Sequence, residues 1–335
     1  MFFKKKGYLV TSIMLILILL CCVVSSNAKE ILIFSGSFSP GQAQVDTQNK
    51  FKELLEGRSE GRYEVRVVIG SAMGSGREHV EQCQAGLIHL MAIGPEAIAI
   101  YNPTYNVENI PYLFESWEHL FSYINGKPGE IVQQKVLENL DIRTLGTQIR
   151  GARYLTANKP IYSREDIQGL HLRLSETATL IRIWSAVGAS PTPVAFSELY
   201  SALQTGIVEA QENPIETIYG QKFYEVQDYL METEHILSIS YFQASEKWFS
   251  SLSPEDQQLV SESMTKAIEY GTELALERIG KFKKEIVEKG WMTLIKASEM
   301  DLESLRKPAV EEIAKMVEEG VYDRELFEMA VELKQ

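Results

Sequence analysis

Apolar and polar residues change their spacing in a regular order along this chain. Residues 30–35, Glu-Ile-Leu-Ile-Phe-Ser, form a short apolar run that predicts a strand, and a loop rich in Gly, Ser and Pro follows. Over 44–55 the spacing turns helical, with Val45, Phe51, Leu54 and Leu55 on one face. Residues 63–69 alternate as a second strand, 70–76 form a Gly-rich turn, 77–85 read as a helix and 88–93 as a third strand. A second block starts near Gly151. It predicts strands over 153–157 and 170–174, helices over 176–187 and 197–203, and a strand over 208–211. Strand–helix alternation of this kind predicts an α/β protein with largely parallel sheets, in two lobes.

Two segments depart from that alternation. From 255 to 289 no proline occurs, and Leu259, Met264, Ile268, Leu274, Leu276, Ile279 and Ile286 recur at helical spacing. This predicts one long helix, or two in tandem bent near Gly271 or Gly280. About 35 residues of helix span roughly 50 Å, enough to brace both lobes. At the other end, Lys4-Lys5-Lys6, an apolar stretch from Leu9 to Val24, and Ser26-Asn27-Ala28 have the charge, length and flanks of a secretory signal peptide cleaved after Ala28. The apolar run is shorter than the roughly 20 residues that span a bilayer. A lipid anchor on Cys21 or Cys22 lacks the small residue expected before it.

Composition narrows the function classes. The chain of 335 residues carries a formal net charge of −13; loss of 28 residues with three lysines and no acid leaves 307 residues at −16. So acidic a chain is a poor candidate for binding nucleic acid or an anionic membrane surface. Cys83 is then the sole cysteine, so an exported chain must be held by core packing, which 45% hydrophobic content permits. The Gly70–Gly76 turn lacks the Lys-Ser/Thr of a phosphate-binding loop, the five histidines form no metal-binding pattern, and no nucleophile elbow occurs. Cys83 reads as a small core residue. Neither catalysis, a cofactor nor a metal is called for.

One dense block carries a resemblance. Gly188-Ala-Ser-Pro-Thr-Pro-Val-Ala-Phe-Ser-Glu-Leu-Tyr-Ser-Ala-Leu-Gln-Thr205 leads into Val208-Glu-Ala-Gln-Glu-Asn-Pro214 and Gln221-Lys-Phe-Tyr-Glu-Val226, with Gly151-Ala-Arg153 and Gly169-Leu-His-Leu-Arg173 upstream. Together they resemble the extracytoplasmic solute-binding proteins of tripartite ATP-independent periplasmic (TRAP) transporters, of DctP type, and within them the sialic-acid-binding branch. The resemblance covers nearly all of the mature chain. It implies a two-lobed periplasmic-binding-protein-like fold with hinge strands and a long bracing helix: residues 1–28 as signal peptide, lobe I from 29–150 plus 239–278, and lobe II from 151–238 plus 279–335. It also implies a monomer in the periplasm that captures a small organic carboxylate and delivers it to a small and a large membrane subunit.

By the same resemblance Arg173 makes the two-pronged bridge to the ligand carboxylate, for which guanidinium has the matching fork of donors and lysine does not. Arg153 and Asn213 complete the carboxylate site, Phe196 packs on the ligand body, and Glu212 and His235 join Arg153 in a network linked to closure. The pattern departs from the sialic-acid branch where Ser37, Gly76 and Gly94 stand in place of polar hooks, and where Glu176 replaces an asparagine. These departures predict a carboxylate with fewer hydroxyls than sialic acid, with Glu176 free to take an amino or hydroxyl group. Two other readings stay open at this point: a sensing accessory for a membrane receptor, and a secreted enzyme on the same frame.

Overall fold

The computed structural model describes residues 29–334; the segment expected to be a signal peptide, with Cys21 and Cys22, lies outside them. The ten strands are β1 (Glu30–Gly36), β2 (Tyr63–Val68), β3 (Leu90–Ile93), β4 (Ile142–Ala157), β5 (His171–Leu174), β6 (Ser190–Pro193), β7 (Ala210–Pro214), β8 (Tyr229–Met231), β9 (Leu237–Ser245) and β10 (Thr293–Ile295). In the first half β1 lies between β2 and β3 and runs parallel to both. In the second half β5 lies between β6 and β7, again parallel to both. Two antiparallel strands join the halves: β9 pairs with β3 and β4, and β4 runs on past β9 to pair with β7 and β8. These two are the hinge strands, and the fold is the expected two-lobed α/β arrangement.

Apolar burial explains the layering. One cluster, from Val80 and Met91 through Ile142 to Leu172 and Leu305, spans both halves. A second, around Phe34, Phe51 and Phe242, belongs to the first half, where the rings meet edge to face at 5.4 and 6.2 Å. A third, around Leu199, Ile218 and Ile286, belongs to the second half.

The prediction for 255–289 resolves into one helix, Pro254–Glu288, started by Pro254 after the Ser253 cap. It packs on the helix Ala43–Arg58 of the first half, on β4, and on the helix Ile215–Gly220 of the second half. Gly271 makes this possible, because a Cβ there would collide with the Thr47 hydroxyl. The C-terminal remainder touches both halves: the helix Leu302–Glu318 packs on the helix Ala178–Val187, while Arg324–Glu332 reaches back to Lys127–Leu140.

The sequence pattern placed only 153–157 in a strand, whereas β4 starts at Ile142, and β9 was unread. Register shifts between Thr144 and Gly146 and between Ile149 and Gly151 break the alternation of β4. In β9 the polar letters Ser238, Ser240, Gln243 and Ser245 are buried and hide a core strand. The helix expected over 176–187 starts at Ala178, leaving Glu176 in the loop after β5.

Candidate ligand-binding cleft

A cleft of about 970 Å³, counting the open space at its mouth, lies between the halves. From the first half it is lined by the loop after β1 (Ser37, Phe38), the start of the helix Gly76–Ala85 (Gly76, Arg77) and the start of the helix Pro95–Ala99 (Gly94, Glu96). From the second half come Arg173 and Glu176, Phe196 from the loop after β6, and Asn213 at the end of β7. The hinge strand β4 contributes Arg150 and Arg153. The structure therefore brings Ser37, Gly76, Gly94, Arg153, Arg173, Glu176, Phe196 and Asn213 to one cavity.

Arg173 stands on β5 with its flanking leucines buried on the sheet, and is itself only 4% exposed. Its Nε donates to the Val194 carbonyl at 2.9 Å, and its guanidinium lies 5.9 Å from the Phe196 ring centroid. No carboxylate of the described residues lies within 4.0 Å of it, unlike Arg153 and Arg150. Burial pushes its pKa down to about 10, with Glu212 at longer range acting the other way. It remains charged at neutral pH, a buried cation in the cleft wall.

Arg153 is tied down instead. It donates from Nε and Nη2 to the Glu212 carboxylate, and from Nη2 to the Glu212 carbonyl at 2.8 Å and to Asn213 Oδ1 at 3.4 Å. Glu212 Oε2 lies 3.0 Å from His235 Nε2, and His235 Nδ1 lies 2.9 Å from the Thr233 hydroxyl. Burial opposes the charge of Glu212, but Arg153 and His235 outweigh it and hold the carboxyl down at about 2. The Asn213 amide donates to Gln211 Oε1 at 2.6 Å, and Gln211 donates to Thr156 at 2.9 Å. Glu212 and His235 thus lie behind Arg153 as a buried support, while Arg153 and Asn213 reach the cleft wall.

Arg150 and Glu96 are among the cleft residues that the sequence pattern did not reveal. Arg150 and Arg153 are three apart, and regular alternation would send them to opposite faces. The extra residue of the bulge at Gly151, whose φ is +100°, puts both on the cleft. Arg150 lies 5.1 Å from the Phe38 ring centroid and 3.6 Å from Glu96 Oε1. Glu96 corrects the expectation that this wall is bare: its carboxylate folds over Gly94 into the space a Cβ there would occupy. A glycine after a strand arginine, and an acid in the first turn after Gly94-Pro95, were the available signals. Glu176, expected to be free for a ligand, pairs at 3.6 Å with Arg77 across the rim.

Cys83 is fully buried and its thiol is pushed up to about 12 by burial, as befits a core residue. Among the described residues no group of His, Cys, Asp and Glu is gathered as a metal site requires, and no helix is long and apolar enough to cross a membrane.

The sequence is similar to known proteins over most of its length. It is 33% identical over 274 residues to a solute-binding protein of Roseobacter denitrificans, covering 80% of this chain and 84% of that one. It is 31% identical over 242 residues to the sialic acid-binding periplasmic protein of Vibrio cholerae, covering 72% and 75%. The crystal structure of the Roseobacter protein with bound L-galactonate superposes with a TM-score of 0.84 at 29% identity, covering 92% of this chain and 99% of that one. A TRAP periplasmic solute-binding protein of Shewanella oneidensis with bound succinate gives 0.86 at 25% identity, covering 92% and 100%. The DctP sequence model, described as bacterial extracellular solute-binding protein, family 7, matches residues 34–320. This chain belongs to that family.

Proposed function

We propose that this protein captures a small organic carboxylate by docking it on Arg173 and hands it to the membrane subunits of a TRAP-type transporter. The observation that carries the reading is the buried Arg173 guanidinium, with no acid within salt-bridge distance among the described residues. A buried charge without a counter-ion is costly, and a ligand carboxylate supplies the missing partner in two-pronged geometry. Arg153 and Asn213 flank the same carboxylate, Arg153 held by Glu212 with His235 behind it and Asn213 held by Gln211, and Phe196 covers the ligand body. Net gains of about 1.5–3 kcal/mol per charge-assisted hydrogen bond make two or three of them, with apolar contact, enough for the roughly 8.2 kcal/mol of micromolar binding.

The related proteins with bound L-galactonate and succinate support an acid as the ligand class. The chain works as a monomer in the periplasm after cleavage behind Ala28, with residues 29–150 plus 239–278 as one lobe and 151–238 plus 279–335 as the other. Capture is binding without chemistry, and closure about β4 and β9 brings the Ser37, Gly76 and Gly94 wall onto the docked acid. A thermal-shift screen of small acids tests the reading: at least one must raise the melting temperature of the wild type, and its uncharged amide must not.

A further inference from the structure

We propose that Arg150 and Glu96 form a hydroxyl-reading pair in the cleft wall, so that the captured acid is a hydroxylated monocarboxylate. This deepens the carboxylate reading and rests on it. Arg150 is 4% exposed, and its Nε and Nη1 have no hydrogen-bond partner. The nearest carboxylate oxygen, Glu96 Oε1, is 3.6 Å from Nη1, an ion pair too long for a hydrogen bond. Glu96 Oε2 is also buried without a partner. A free donor and a free acceptor therefore line the same cavity.

Only some ligand groups satisfy both. A hydroxyl accepts from the guanidinium and donates to the carboxylate. A second ligand carboxylate would meet the negative charge of Glu96, and an ammonium would meet Arg150. The charge balance agrees: Arg153 is matched by Glu212 and Arg150 by Glu96, which leaves Arg173 for a single ligand anion. Nor is the pair an accident of loop geometry. The bulge at Gly151 aims Arg150 into the cleft, and the missing side chain at Gly94 makes room for the Glu96 carboxylate.

Calorimetry with two sets of probes of matched length tests this: butanoate, D-erythronate and succinate, then hexanoate, L-galactonate and adipate. In at least one set the hydroxylated acid must bind wild-type protein about tenfold or more tighter than both companions. Glu96→Ala must reduce that preference about tenfold and at the same time improve diacid binding, because Arg150 is then free for a second carboxylate. Arg150→Met must lose the preference without gaining the diacid. Should Glu96→Ala fail to fold, Glu96→Gln, which removes only the charge, must shift the diacid in the same direction. Alkyl acid or diacid binding as tight as the hydroxylated acid, or unchanged preference in folded Glu96 variants, would overturn this proposal alone. Failure of all six acids to bind wild-type protein would overturn this proposal, while the carboxylate reading stands or falls with the wider thermal-shift screen.

Discussion

Arg173 and Glu216 show what single residues contribute, in opposite ways. Arg173 lies buried without a counter-ion, so removing it should relieve the ligand-free protein while disabling capture. Arg173→Met is expected to melt no lower than wild type and to bind the best acid on the order of 100-fold or more weakly, measured by thermal melts and calorimetry. Arg173→Lys, which keeps the charge and loses the fork, should also lose most of the affinity. Glu216 is buried at the junction of the halves, with Oε2 accepting from the Ala43 N–H at 3.5 Å and Oε1 unpartnered. Burial pushes its carboxyl up from 4.5 to about 8, against the Ala43 N–H and Arg278. The folded state therefore holds a proton that the unfolded chain releases. Its cost is absent below the unfolded value of 4.5, grows as pH rises from there, and levels off above about 8. Glu216→Gln should thus gain in melting temperature over wild type between pH 4.5 and 8, and match it at about pH 4. An equal difference at every pH would contradict this account of the group.

At the scale of elements, β4 brings two arginines to the cleft, and only its far end was legible. The pattern of 153–157 identified its far end, and the resemblance identified Arg153. Arg150 was invisible because period-2 alternation places it opposite Arg153 until the bulge is known. Replacing Gly151 by Ala puts a Cβ on a residue at φ +100° and 3.0 Å from Ile279 Cδ1. It should cost about 1–2 kcal/mol of stability, read from denaturant unfolding, and weaken acid binding by turning Arg150 out of line. Where an element buries one plain apolar face the sequence spoke clearly, as in Val45, Phe51 and Leu55 or in the long helix. Where polar side chains are buried, as in β9, the apolar pattern left the strand unread. The acid at Glu96 was missed for a related reason: it reaches the place of residue 94 from two positions away.

Across the whole molecule, the halves are held by β4, β9 and the long helix, and meet at the rim through Arg77–Glu176 and at the base through Gln42 to Thr217 at 3.0 Å. The rim pair is about half exposed on both sides, so its share in closure is small. Glu176→Gln should weaken acid binding less than about fivefold, and less still at high salt; a loss comparable to that of Arg173→Met would make Glu176 a ligand contact instead. The two-lobed architecture was legible because alternating strands and helices leave few alternatives, whereas the packing of Arg324–Glu332 back onto the first half has no local signature. The central claim is that Arg173 holds the negative end of a small acid. Calorimetric titration of wild type and Arg173→Met with the acid that most raises the wild-type melting temperature tests it most directly. The account predicts saturable binding to wild type and binding on the order of 100-fold or more weaker to the folded variant; equal affinity for both would contradict it.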